Sequence, residues 1–130
     1  MCGIFGIFSN KLVTKLILDG LTKLEYRGYD SSGISILDNN KKIHTLRAKG
    51  KLKNLINKVN KNFPSGFVGI GHTRWATHGV PSTINAHPHT SESVSIVHNG
   101  IIENYSHLKK KLTKLGYKFY SETDSEVIAH

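Results

Sequence analysis

One cysteine in 130 residues cannot form an internal disulfide, which excludes a small secreted scaffold held by such bonds. Long apolar runs are also missing. The longest, Cys2 to Phe8, is far too short to cross a bilayer, and no basic stretch precedes it as in a signal peptide. Arginine is scarce: Arg27, Arg47 and Arg74 are the only three, beside fifteen lysines and nine acidic residues, for a net charge of +9. Such a surplus invites a nucleic-acid reading. The distribution argues against it, because specific contacts favour the Arg fork and no aromatics interleave with the lysines as a stacking platform. What is present, 38% hydrophobic and 21% charged residues, allows one packed domain. The expectation is a soluble intracellular domain with no membrane partner, no repeat, no linker and no low-complexity tract.

Periodicity sketches the elements. Residues 2–8 read as a buried strand with Gly3 and Gly6 where space is tight. Ser9 or Asn10 is placed to cap a helix carrying Leu12, Val13, Leu16, Ile17, Leu21 and Leu24, ending near Arg27-Gly28 with Gly28 left-handed. Ile34, Ile36 and Ile43 flank an Asn39-Asn40 turn and predict a hairpin, and Leu52, Leu55, Ile56 and Val59 a second helix. After the loop at 63–66, residues 67–75 read as a strand, 77–93 as a long polar loop and 94–98 as a strand. Tyr105, Leu108, Leu112 and Leu115 predict a third helix closed by Gly116, followed by a strand at 117–121. Thr123 or Asp124 reads as the cap of a last helix with Glu126 in its first turn. That helix has one turn when the sequence stops at His130, so the chain is expected to be a fragment.

Several residues could carry chemistry. Cys2 follows the initiator methionine, and removal of Met1 would leave a thiol beside a free α-amine, a nucleophile and base in one residue. The alternative is a buried structural cysteine. Asn99-Gly100 is equally a two-residue hairpin turn or an oxyanion hole made of a side-chain amide and a backbone N–H. In His-Thr-Arg-Trp-Ala-Thr-His-Gly, 72–79, Arg74 offers a fork for a carboxylate, with Thr77 and His78 as hydrogen-bonding groups. The alternative is a surface Arg packed on Trp75. Eight histidines raise zinc, but no His-Glu-x-x-His or paired cysteines accompany them, so no metal is expected.

Six segments then recur in one order: Met-Cys-Gly-Ile at 1–4, Leu-Glu-Tyr-Arg-Gly-Tyr-Asp-Ser-Ser-Gly at 24–33, the 72–79 run, Asn-Ala-His-Pro-His at 85–89, His-Asn-Gly-Ile-Ile-Glu-Asn at 98–104 and Ser-Glu-Thr-Asp-Ser-Glu at 121–126. Together they resemble the glutaminase domain of the class II glutamine amidotransferases, in the N-terminal-nucleophile hydrolase superfamily, over essentially the whole chain. Met-Cys-Gly-Ile alone also fits amidophosphoribosyltransferases and asparagine synthetases; the 27–31 and 72–79 motifs point to the glutamine–fructose-6-phosphate aminotransferases. The resemblance implies an α+β fold, a four-layer α-β-β-α sandwich of which residues 1–130 make only the N-terminal half, without the sugar-isomerase domains. It implies Cys2 as nucleophile, Asn99 and Gly100 as the oxyanion hole, and Arg74 and Asp124 for the α-carboxylate and α-ammonium of glutamine. Thr77 and His78 would line the pocket, Trp75 the ammonia path, and Arg27 would order the site. No cofactor is implied. The implied setting is a cytoplasmic homodimer, with fructose 6-phosphate met only through the missing domains.

Overall fold

A computed structural model describes residues 1–76 and 79–130. Side-chain alternation along β1 (Gly3–Phe8) turns Phe5 and Ile7 to one face and Ile4 and Phe8 to the other. β1 pairs antiparallel with β4 (Val68–Arg74), β4 with β2 (Ser31–Leu37), and β2 with β3 (Ile43–Lys49). In this register Ile34 lies opposite Gly71 and Ile36 opposite Gly69. That face receives α1 (Thr14–Leu24) and α2 (Leu52–Val59). The two glycines make room for them, since a Cβ on either would lie within 2.6 Å of an Ile17 methyl. Val13, Ile17, Leu21, Ile34, Ile36, Leu52 and Leu55 form the core, each contributing about 1.5–3 kcal/mol of burial.

The opposite face of β2, β3 and β4 carries Gly33, Ser35, Arg47, Ile70 and His72. Over it lie the segment 85–88 and a two-stranded ribbon, β5 (His89–Ser91) with β6 (Val94–Ile96). Ser95 Oγ–H donates to Ser35 Oγ at 2.7 Å, and Arg47 Nη1 to the carbonyls of Ile84 and Ala86 at 3.2 and 3.4 Å. Beyond the ribbon come α3 (Tyr105–Lys114) and α4 (Glu126–Ala129), the latter packed on β5 and β6. The layers therefore run α-β-β-α, an α+β arrangement. Among the described residues no helix is long and apolar enough to cross a membrane.

Several local expectations are corrected. β1 is an edge strand, not a buried one: Ile4 is 42% and Phe8 82% exposed. α1 starts three or four residues later than Asn10 or Ser9 would place it. The N–H groups of Ser9 and Val13 are taken by the carbonyls of Phe67 and Gly66, and Ser9 Oγ accepts from Lys11 N–H instead. Gly28 is extended, at φ −165°, and not left-handed; it is needed because a Cβ there would lie 2.8 Å from the Arg74 carbonyl carbon. Residues 117–121 form no strand, because the N–H groups of Tyr120 and Ser121 go to the Glu126 carboxylate. Neither Thr123 nor Asp124 caps α4. Ser125 precedes it, while Thr123 Oγ1 meets His89 Nε2 and Asp124 accepts from Ile102 N–H. The loop at 77–93 contains β5 at its end.

Gly33 governs how closely the two β layers approach, since its Cβ would stand 2.1 Å from the His87 carbonyl oxygen. Gly33→Ala is expected to force the layers apart and cost about 2 kcal/mol or more, as overpacking against backbone does. Thermal melting followed by circular dichroism checks this; an unchanged midpoint would show that the layers yield freely.

Candidate active site

The antiparallel register sets Gly3 opposite Thr73, so the residue before β1 meets the residues after β4. Cys2 is a free, half-buried thiol whose Sγ accepts the Trp75 N–H at 3.1 Å and faces the Trp75 carbonyl oxygen at 3.4 Å. The side chain is only partly buried. In this chain its nitrogen is still joined to Met1, and Arg27 Nη2 reaches Met1 Sδ at 3.6 Å.

Asn99-Gly100 is not a hairpin turn. β6 ends at Ile96, Ile101 and Ile102 pair with no strand, and neither Asn99 nor Gly100 has the positive φ that a two-residue turn requires. The Asn99 amide instead spans two partners: Nδ2 donates to the Cys2 carbonyl oxygen at 3.2 Å, and Oδ1 lies 2.7 Å from His72 Nε2.

Arg74 is 4% exposed and Nη2 donates to the Gly79 carbonyl at 3.3 Å, so it is no surface residue; Trp75 packs edge-on against Tyr29 at 5.3 Å. Asp124, also 4% exposed, accepts from Ile102 N–H at 2.6 Å and Ser125 Oγ–H at 3.3 Å. Cys2, Arg27, Arg74, Trp75, Asn99, Gly100 and Asp124 all line one cavity of about 480 Å³. That is ample for an amino acid. Thr77 and His78 lie outside the described residues. A thiol, an amide donor, a guanidinium and a carboxylate thus share one space, an arrangement suited to holding a zwitterion and attacking it.

Sequence reasoning missed the supports. His72, His87 and Ser125 border the same cavity. Asp30 holds the chain leaving β4, accepting from Ala76 N–H and, at 2.9 Å, from Ser31 Oγ–H. Asn85 ties the next stretch, donating to Val80 O at 3.0 Å and Glu122 Oε2 at 2.9 Å. His72 was findable, since it sits two residues before Arg74 and therefore on the same strand face. Among the described residues no three His, Cys, Asp or Glu gather as metal ligands.

Three imidazoles fill the polar interlayer. His72 stacks on His87 at 4.5 Å, and His87 meets His89 edge-on at 4.5 Å. Burial lowers the pKa of His72 to about 4, of His87 to about 2 and of His89 to about 4; the charge of Arg74 adds to all three, and neighbouring imidazoles add to the shifts of His87 and His89. Glu126 behaves oppositely to burial. Desolvation raises its pKa, but bonds from Ser121 Oγ–H and the N–H groups of Tyr120 and Ser121 outweigh that and hold it below the usual carboxylate range.

A family profile described as a glutamine amidotransferase domain matches residues 47–130. The chain is 56% identical over 131 residues to the glutamine–fructose-6-phosphate aminotransferase (isomerizing) of Buchnera aphidicola subsp. Baizongia pistaciae, and 57% identical over 132 residues to that of Caldanaerobacter subterraneus subsp. tengcongensis. Both alignments cover 100% of this chain and 22% of the relative, so the chain spans about a fifth of their length. Among solved structures it resembles the glutamine phosphoribosylpyrophosphate amidotransferase from B. subtilis complexed with ADP and GMP, with TM-score 0.80 at 28% identity over 100% of this chain and 28% of that one. A structure described as the allosteric regulatory enzyme of purine biosynthesis gives TM-score 0.82 at 28% identity over 100% of this chain and 29% of that one.

The lowered histidine pKa values fix a pH dependence. The unfolded chain takes up protons near pH 6.5 that the folded chain refuses until about pH 4, so stability is complete above 6.5 and falls as pH drops through that window. Each histidine kept neutral contributes about 1.4 kcal/mol of loss per pH unit. Denaturant melts across this range are expected to show the decline, and a flat profile would contradict the neutral cluster.

Proposed function

The chain belongs to the glutamine amidotransferase domain family, and on that premise we propose that Cys2 hydrolyses glutamine to glutamate and ammonia. The observation carrying this reading is the Asn99 amide donor 3.2 Å from the Cys2 carbonyl oxygen, beside the thiol and in the cavity shared with Arg74 and Asp124. After Met1 is removed, the Cys2 α-amine accepts the thiol proton and Sγ attacks the side-chain amide carbon of glutamine. Arg74 pairs with the substrate α-carboxylate and Asp124 with its α-ammonium. Asn99 Nδ2–H and Gly100 N–H hold the tetrahedral oxyanion. As it collapses, the carbon–nitrogen bond breaks and the leaving nitrogen takes the proton from the α-amine, releasing ammonia and a γ-glutamyl thioester. Water, deprotonated by the same amine, then frees glutamate and regenerates the thiol. Arg27 orders the site and Trp75 borders the ammonia path.

The acceptor assigned to the ammonia is fructose 6-phosphate, giving glucosamine 6-phosphate, the first step toward UDP-N-acetylglucosamine. It rests on the 51–57% identity to aminotransferases whose names carry that substrate. In this reading residues 1–130 are part of the amidotransferase domain of a cytoplasmic, homodimeric enzyme, and the sugar is bound by isomerase domains these residues do not include.

Cys2→Ala is expected to abolish glutamate release. Asn99→Ala should lower kcat by about 10²–10³ with KM nearly unchanged, since the oxyanion exists only in the transition state. Arg74→Gln should raise KM about 30-fold or more, the cost of unpairing a buried charge. Hydrolysis by Cys2→Ala at the wild-type rate would sink the mechanism.

A further inference from the structure

The two ends of the Asn99 amide are nearly alike in shape and opposite in chemistry, so something must hold the donor end toward Cys2. The Cys2 carbonyl oxygen only accepts, which assigns the group 3.2 Å from it as Nδ2 and turns Oδ1 the other way. There Oδ1 meets His72 Nε2 at 2.7 Å. An amide oxygen also only accepts, so Nε2 must carry the proton. The opposite tautomer would set two acceptors against each other at 2.7 Å.

We propose that His72 is a positioning residue: its Nε2–H locks the Asn99 amide so that one Nδ2 hydrogen holds the Cys2 carbonyl and the other stays free for the oxyanion. This rests on the reading of Cys2 as nucleophile and Asn99 as oxyanion donor. The lock is itself braced. His72 is 1% exposed, and its ring lies flat on His87, 4.5 Å between centroids and 20° between planes. His87 Nδ1 in turn accepts the His98 N–H at 3.3 Å, the peptide just before Asn99. One stacked pair therefore sets both the Asn99 side chain and the backbone leading into it. Burial keeps His72 neutral, its pKa lowered to about 4, so its two ring nitrogens do not both carry protons at neutral pH.

The test compares His72→Phe, which keeps the ring and loses the donor, with His72→Gln, whose amide N–H reaches a similar place. His72→Phe is expected to lower kcat by roughly 10²-fold with KM within about twofold of wild type, and His72→Gln to recover part of that loss. In the double variant with Asn99→Ala the rate should equal that of Asn99→Ala alone, because the lock has nothing left to hold. Losses that multiply, or a wild-type kcat in His72→Phe, overturn the proposal. Nitrogen NMR of the ¹⁵N-histidine-labelled whole chain reads the pairing without catalysis: the Nε2–H tautomer at His72 is expected, and the Nδ1–H tautomer overturns it. Should Cys2→Ala retain hydrolysis, the nucleophile reading fails separately, and the tautomer still decides the His72–Asn99 pairing.

Discussion

The close approach of the His87 carbonyl to Gly33 is the constraint on which the site depends. A strand position with no side chain lets the 85–88 segment settle onto the sheet. That contact lays the His87 ring on His72, and His72 meets the Asn99 amide. From there the chain reaches Cys2, the residue that leads into β1. The groups lining the cavity come from both β layers, so the spacing between those layers sets the shape of that cavity. The apolar core on the far side of the sheet, around Ile17, Leu21 and Ile34, keeps the sheet itself in place.

The interlayer is polar where most domain interiors are apolar. Its contents are imidazoles, short hydroxyls and the Arg47 fork, each satisfied largely by groups from the facing layer. Such a network costs stability if any member is left unpaired, yet it gives specific positions that apolar packing would not. Keeping His72, His87 and His89 uncharged is part of that cost, and it ties the folded state to neutral pH.

Much of the architecture was legible from periodicity, because α1 and α2 each bury one regular face, while β2 lies between two layers and is buried along nearly its whole length. Boundaries failed where tertiary hydrogen bonds override local signals. Ser9 is a good cap by type, but Phe67 and Gly66 claim the N–H groups around it. The 117–121 run alternates like a strand, but Glu126 takes its donors. Asn99-Gly100 showed the limit of spacing most clearly. A turn and an oxyanion hole have the same local sequence; the backbone at 99–102 and a side-chain bond to a residue 97 positions away exclude the turn. The motifs brought the candidate site residues to notice through resemblance; the supports at His87 and Asp30 became visible only once the chain was folded.

The proposed function requires a glutamine-shaped site around the Cys2 thiol. Intact mass of the purified chain, before and after incubation with an electrophilic glutamine analogue, tests it most directly. Loss of Met1 followed by one adduct, mapped to Cys2 and suppressed by excess glutamine, is the expected result. A chain that has lost Met1 and takes up no analogue, or takes it up with no protection by glutamine, would contradict it.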